Sequence, residues 1–228
     1  TTSLIRSNMK LYHGTSSKRL ERIRKHNLKP RGRKIGNDWG EYPSAPDRVY
    51  LTSSYAFFFA FSAAANDGSE SVVLEVEFPD FEEDLYLTGL LVPDEDGLAQ
   101  HTFPADHSLA WLNKLSLKKK TKWWRRNAPK HTHLTKPSIK YIGNCAYMGT
   151  IPWKNKEVDG VYAGDWGITK AVVVPEDYGL RFDPTISLIN HAALGANYAY
   201  ALKKFMDSDG QADVYLHMED SPDNHIWK

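Results

Sequence analysis

The sequence predicts an α+β fold, and two observations carry that expectation: a strand–turn–helix unit occurs twice near the start, and a β-branched run follows it. In the first unit Lys10, Leu11 and Tyr12 alternate as a half-buried strand does, and Gly14 allows close backbone approach. Thr15, Ser16 or Ser17 can cap the helix that comes next. Leu20, Ile23 and Leu28 recur near helical spacing among Lys, Arg and Glu, so 17–28 reads as an amphipathic helix ending at Lys29-Pro30. The second unit is the strand RVYLT at 48–52, then Ser53-Ser54 as a cap for the apolar helix YAFFFAFSAAAN. Its aromatic residues outnumber what one helix face needs, so at least one ring can line a pocket. VVLEVEF at 72–78 follows as a strand with Glu75 and Glu77 on a wet face.

The loop RGRKIGNDWGEYPSAPD between the two units is rich in Gly, Pro and polar residues and long enough to be functional. Trp39 within it either covers a ligand or packs the loop down, and Arg31 and Arg33 either approach phosphates or stay solvated. Further on, GVYAGDWGITKAVVV at 160–174 reads as a turn and a final core strand, 186–206 regains helical character, and the tail is acidic. The expected organisation is one domain, 1–228, with a basic insertion at about 101–140 and a helical C-terminal extension at about 184–228.

Composition narrows the function classes. The formal net charge of +1 gives no global field for a polyanion, and Cys145 as the single thiol excludes an intrachain disulfide framework. Nine scattered histidines show no structural-zinc spacing, so no metal is expected. No apolar run reaches the roughly 20 residues that cross a bilayer, and residues 1–8 lack a signal-peptide core, so a soluble, cytoplasmic protein without a membrane partner is expected.

Backbone N–H groups at the turn after His13 suit a carboxamide or a phosphate oxygen, which makes a nucleotide a fitting guest; the alternative is a purely structural histidine. His13-Gly14-Thr15 at a strand end, followed by Val49-Tyr50-Leu51-Thr52 and a Ser-led helix with an aromatic at Phe61, resembles the histidine–tyrosine–glutamate branch of ADP-ribosyltransferases. That branch includes poly(ADP-ribose) polymerases, bacterial DNA-modifying toxins and RNA 2′-phosphotransferases. The resemblance covers residues 9 to about 78 and resumes near Tyr141; PDEDGLAQ at 93–100 also resembles a segment of bacterial and phage members. It implies a split β-sheet core with flanking helices, and NAD as the bound substrate.

The resemblance also implies residue roles. His13 is expected to bond a ribose hydroxyl of NAD, the Gly14 backbone and Thr15 to border the nicotinamide carboxamide, Tyr50 to stack on the ring, and Phe61, or Phe59 after an alignment slip, to supply a second aromatic. Thr52 and Ser53 are expected beside the nicotinamide. A planar cationic ring held between aromatic faces and gripped at its amide is strained most easily at its glycosidic bond.

Members of the branch carry a glutamate on a third strand, where a carboxylate stabilises the oxocarbenium-like sugar. The expected strand here is YIGNCAYMGT at 141–150, and it holds no acidic residue. Alternation puts Asn144, Ala146 and Met148 on one face, and Ala146 is the leading position for the missing glutamate, with Asn144 and Glu157 as alternatives. The chain is then either an inactive member or a Glu-to-Ala form of a toxic enzyme.

Between Asp106 and Glu157 there is no acidic residue, while lysines and arginines accumulate. Lys118, Lys119, Lys120, Lys122, Arg125 and Arg126 interleaved with Trp123 and Trp124 suit phosphate neutralisation plus base stacking; the alternative is a helix buried by Trp111, Leu112, Leu115, Leu117 and one of the two adjacent tryptophans, with its lysines solvated. The expected function is transfer of ADP-ribose from NAD to a nucleic acid, RNA ahead of DNA, by a toxin or phage-defence effector with a neutralising antitoxin as partner. A protein-directed transferase and a non-catalytic nucleic-acid- or ADP-ribose-binding module are the alternatives.

Overall fold

The computed structural model describes residues 8–32, 45–78, 90–102, 114–162, 164–176 and 191–212. Arg33, Trp39, Trp111, Leu112 and the acidic tail beyond Ala212 lie outside the described residues. β1 (Met9–Ser16) pairs antiparallel with β3 (Ser71–Phe78) along its whole length, from Met9 opposite Phe78 to Ser16 opposite Ser71. β8 (Gly167–Val174) adds to the far side of β3, with a register shift between Glu75 and Val76. On the other side come β2 (Val49–Thr52), β5 (Asn144–Tyr147) and β4 (Leu91–Pro93). The result is a six-stranded antiparallel sheet in the order β4-β5-β2-β1-β3-β8. β6 (Glu157–Val158) and β7 (Val161–Tyr162) form a separate small hairpin.

Strand alternation gives the sheet two apolar faces, and helices cover both. One face carries Leu11, Leu51, Leu74 and Tyr147 under Leu20 and Ile23 of α1 (Ser17–His26). On the other, Tyr12, Val73 and Val172 pack against Phe57 and Ala60 of α2 (Ala56–Asp67) and against Leu202, Phe205 and Met206 of α6 (His191–Asp207). Further along this second face, Val92 and Ala146 lie under Leu98 of α3 (Glu95–Thr102) and Trp124 of α4 (Leu117–Asn127). Two short 3-10 turns, Ala128–Lys130 and Thr132–Leu134, join α4 to α5 (Thr135–Ile142). The mixed α+β class is as expected. In the C-terminal helix Leu202, Phe205 and Met206 are fully buried.

Local chemistry sets the boundaries. Ser16 caps α1, its hydroxyl accepting from the Arg19 N–H, as expected of one of the three candidates. The helix ends at His26, earlier than expected, because Asn27 takes φ +61° with its side chain donating to the Val158 carbonyl. Leu28 then leaves the helix and pairs with Ile151. The third strand is also shorter than expected: Tyr141 and Ile142 form the last turn of α5, which stops at left-handed Gly143, and extension begins only at Asn144. Glu75 corrects another expectation. It is buried at 3% exposure, bonded to Lys10 Nζ at 3.2 Å and Thr169 Oγ1 at 2.8 Å, because α6 covers the face expected to be wet. Glu77 is half-buried and accepts from Asn8 Nδ2 at 3.1 Å. No helix among the described residues is long and apolar enough to cross a membrane, and no three of their His, Cys, Asp or Glu side chains group as a metal site.

Candidate functional site

All of β1 pairs with β3, whereas β1 meets β2 at Tyr12 opposite Thr52. Beyond that pair, toward Tyr50, the seam is closed by a side chain: His13 Nδ1 lies 2.9 Å from the Tyr50 carbonyl oxygen. A carbonyl only accepts, so Nδ1 is the donor in this contact. Alternation from the Tyr12–Thr52 pair sends His13 to the α1 face and Tyr50, with Gly14, to the opposite face. The two motif residues therefore meet through the main chain at the point where the two halves of the sheet join, not as side chains converging on one face.

Several neighbours have structural duties. A Cβ on Gly14 would stand 2.3 Å from the Ala56 carbonyl oxygen and 2.4 Å from the Ala60 nitrogen, so the glycine lets α2 lie directly on β1. Thr15 is buried. Thr52 is fully buried; its hydroxyl donates to the Gly143 carbonyl at 2.7 Å and accepts from the N–H groups of Ser54 and Tyr55, just ahead of α2. Neither Ser53 nor Ser54 caps that helix as expected: Tyr55 holds the N-cap position, with no side-chain cap bond. The Ser53 N–H also donates to Gly143, at 2.8 Å. Phe61 is half-buried against the cluster shared by α2 and α6.

Around Tyr50 lies a network that the sequence did not disclose. The Tyr50 hydroxyl donates to Glu95, 2.8 Å from Oε1 and 3.0 Å from Oε2, and accepts from the Ala45 N–H at 3.1 Å. Glu95 Oε1 also accepts from Arg48 Nη1 at 2.8 Å. Arg48 is buried, its Nε donating to Asp47 Oδ1 at 3.0 Å. Its Nη2 is also 3.0 Å from that oxygen, but at an angle too poor for a hydrogen bond. The guanidinium lies 3.3 Å from the centre of the Trp124 ring, a desolvated cation–π contact. Burial, reinforced by the Glu95 charge, raises the Tyr50 phenol well above its ordinary pKa. Burial would also raise Asp47, yet Arg48 and Arg125 outweigh it and hold that carboxyl below the usual range.

Ala146 stands directly opposite Tyr50 on one side and Val92 on the other. It is fully buried, in a cluster with Leu98, Trp124 and Ala128. A glutamate at 146 would share the Tyr50 face but would have to displace packed apolar groups. Asn144, the first alternative, has a buried side-chain oxygen without a hydrogen-bond partner. Glu157, the second, is exposed and lies on the separate hairpin, not on a strand of the six-stranded sheet. Below α3 the buried Asp94 accepts from the Gly97 N–H at 2.7 Å and lies 3.3 Å from Ser138 Oγ. Burial, with the nearby Asp96 charge, pushes its carboxyl up to about 8. Cys145 is buried and its thiol is raised as well, by burial and by Asp94.

The basic helix α4 covers this part of the sheet. Lys118, Lys119, Lys122, Arg125 and Arg126 are exposed, while Lys120 and Trp123 are half-buried. Arg125 reaches back to Asp47. Trp124 corrects the expectation of a stacking platform. It is 0% exposed, with its indole N–H donating to the Pro93 carbonyl at 2.9 Å and its ring against Arg48, so neither face is open to a base. Glu95 stands in the sequence only within PDEDGLAQ, with no role attached to it, and nothing distinguishes Arg48 from a solvated arginine. No protein-family model, no curated protein and no solved structure matches the chain.

Proposed function

We propose that the chain binds NAD where β1 and β2 meet, and that it represents an NAD-dependent ADP-ribosyltransferase acting on a nucleic acid, RNA ahead of DNA. One observation carries this reading: the strands bearing His13, Tyr50 and Ala146 lie side by side in the order β5-β2-β1, with Ala146 directly opposite Tyr50. The seam adds a point of contact between the two motif residues, His13 Nδ1 lying 2.9 Å from the Tyr50 carbonyl oxygen. Exposed Lys118, Lys119, Lys122 and Arg126 on α4, whose Trp124 packs against Ala146, would bring a phosphate backbone near the same strands. In the reaction the C–N bond between nicotinamide and ribose breaks, the acceptor forms a bond to the ribose carbon and loses a proton, and nicotinamide leaves.

The lack of a carboxylate at 146 favours a second reading, a binding module without turnover. Incubating the chain, Ala146→Glu and Ala146→Gln with labelled NAD and RNA, single-stranded DNA or cell protein separates the two. Label entering nucleic acid with Ala146→Glu but not with Ala146→Gln is expected, since removing a preorganised charge of this kind costs on the order of a hundredfold in rate. Label entering protein alone supports the protein-directed transferase. Label from no variant, with Ala146→Glu shown to be folded, leaves the binding module.

A further inference from the structure

We infer that Glu95 is the positioning residue of Tyr50: it fixes the phenol, and with it the plane of the ring, beside the seam between β1 and β2. This role rests on the proposed NAD site and adds to it a residue outside the three motif strands. The Tyr50 hydroxyl has one proton, which goes to Glu95, and it accepts the Ala45 N–H from the other side, so the oxygen is clamped at both ends. The carboxylate is clamped in turn. Arg48 holds Oε1 at 2.8 Å, Asp47 holds Arg48, and the Trp124 ring backs the guanidinium while its indole is tied to Pro93, two residues before Glu95. Such an arrangement leaves the ring little rotational freedom, and a stacking ring already in its bound orientation loses less entropy when a planar guest arrives. Glu95 keeps 16% of its side chain exposed, so it is not sealed in the core.

Double-variant NAD titrations test the role. Glu95→Gln keeps shape but loses charge, Glu95→Ala removes the acceptor, and Tyr50→Phe keeps the ring but loses the hydroxyl. Glu95→Ala should weaken NAD binding about tenfold in the parent and not at all in the Tyr50→Phe background, because its action runs through that hydroxyl. An equal loss in both backgrounds would overturn the inference and leave Glu95 a structural residue. If even the parent fails to bind NAD, the proposed function falls, and the positioning role is then read without ligand from the ¹³Cζ resonance of Tyr50 at neutral pH, assigned with Tyr50→Phe. That resonance should move in both Glu95 variants; an unmoved resonance in folded protein would refute the clamp.

Discussion

Replacing Trp124 should damage the fold, whereas replacing its neighbour should damage binding. Trp124 is fully buried, stacks on a buried arginine and donates its indole N–H to Pro93. Truncating a buried tryptophan typically costs about 3–5 kcal/mol through lost transfer energy and the cavity left behind. Here the truncation also strips Arg48 of a desolvated cation–π partner, so the upper half of that range, about 4–5 kcal/mol, is the expected cost of Trp124→Ala. With a urea dependence of about 2–3 kcal/mol per molar, the unfolding midpoint should drop by roughly 1.3–2.5 M. Trp124→Phe retains a ring under Arg48 and loses the hydrogen bond to Pro93, which predicts a smaller loss of about 1–2 kcal/mol. Half-buried Trp123 should show the reverse pattern, with Trp123→Ala lowering nucleic-acid affinity by about 1–3 kcal/mol and moving the midpoint less than half as far. The measurement is urea unfolding followed by far-ultraviolet circular dichroism, run beside filter binding of labelled RNA. An unmoved midpoint for Trp124→Ala together with a large loss of RNA affinity would refute the buried assignment and restore Trp124 as a stacking platform.

Charge reversal at exposed Lys118, Lys119, Lys122 and Arg126 should flatten the salt dependence of RNA binding by roughly one unit of slope for each phosphate no longer neutralised, measured by filter binding over a salt series. Asp94 predicts a pH dependence of stability with a definite sign. Its folded pKa of about 8 is above the ordinary carboxyl value, so between about 4 and 8 the folded state keeps a proton that the unfolded chain has released, and stability falls as pH rises. The contribution is up to about 1.4 kcal/mol per pH unit, and Asp94→Asn, which preserves an acceptor for Gly97, should flatten the slope in urea unfolding across that window.

The elements with strong local signals were legible. The first strand, the Ser16-capped helix after it, the apolar helix of the second unit and VVLEVEF follow from alternation, one cap, apolar patterning and β-branching, which act over a few residues. Boundaries were less legible where a tertiary contact decides them: Leu28 leaves its helix because Ile151 pairs with it, and Tyr141 stays helical because Gly143 ends α5. Burial by a distant helix was invisible too. Nothing near Glu75 announces that α6, more than a hundred residues later, covers it, and nothing near Trp124 announces Arg48 beneath it. Within the candidate site, β5 with Ala146 lies beside β2 with Tyr50 although β3 and β4 come between them in sequence, an adjacency that only the sheet topology sets. The clamp on Tyr50 depends on Glu95 and Arg48 meeting across a gap of 47 residues, and no local pattern encodes that meeting.

The most direct test of the NAD site is isothermal titration of NAD into the chain, His13→Ala and Tyr50→Ala, with each variant first shown to be folded. Saturable binding by the chain is predicted, with a loss of roughly ten- to a hundredfold in each variant, the usual effect of removing a buried hydrogen bond or a stacked ring. Absence of binding by the chain, or binding indifferent to both substitutions, would contradict the NAD site.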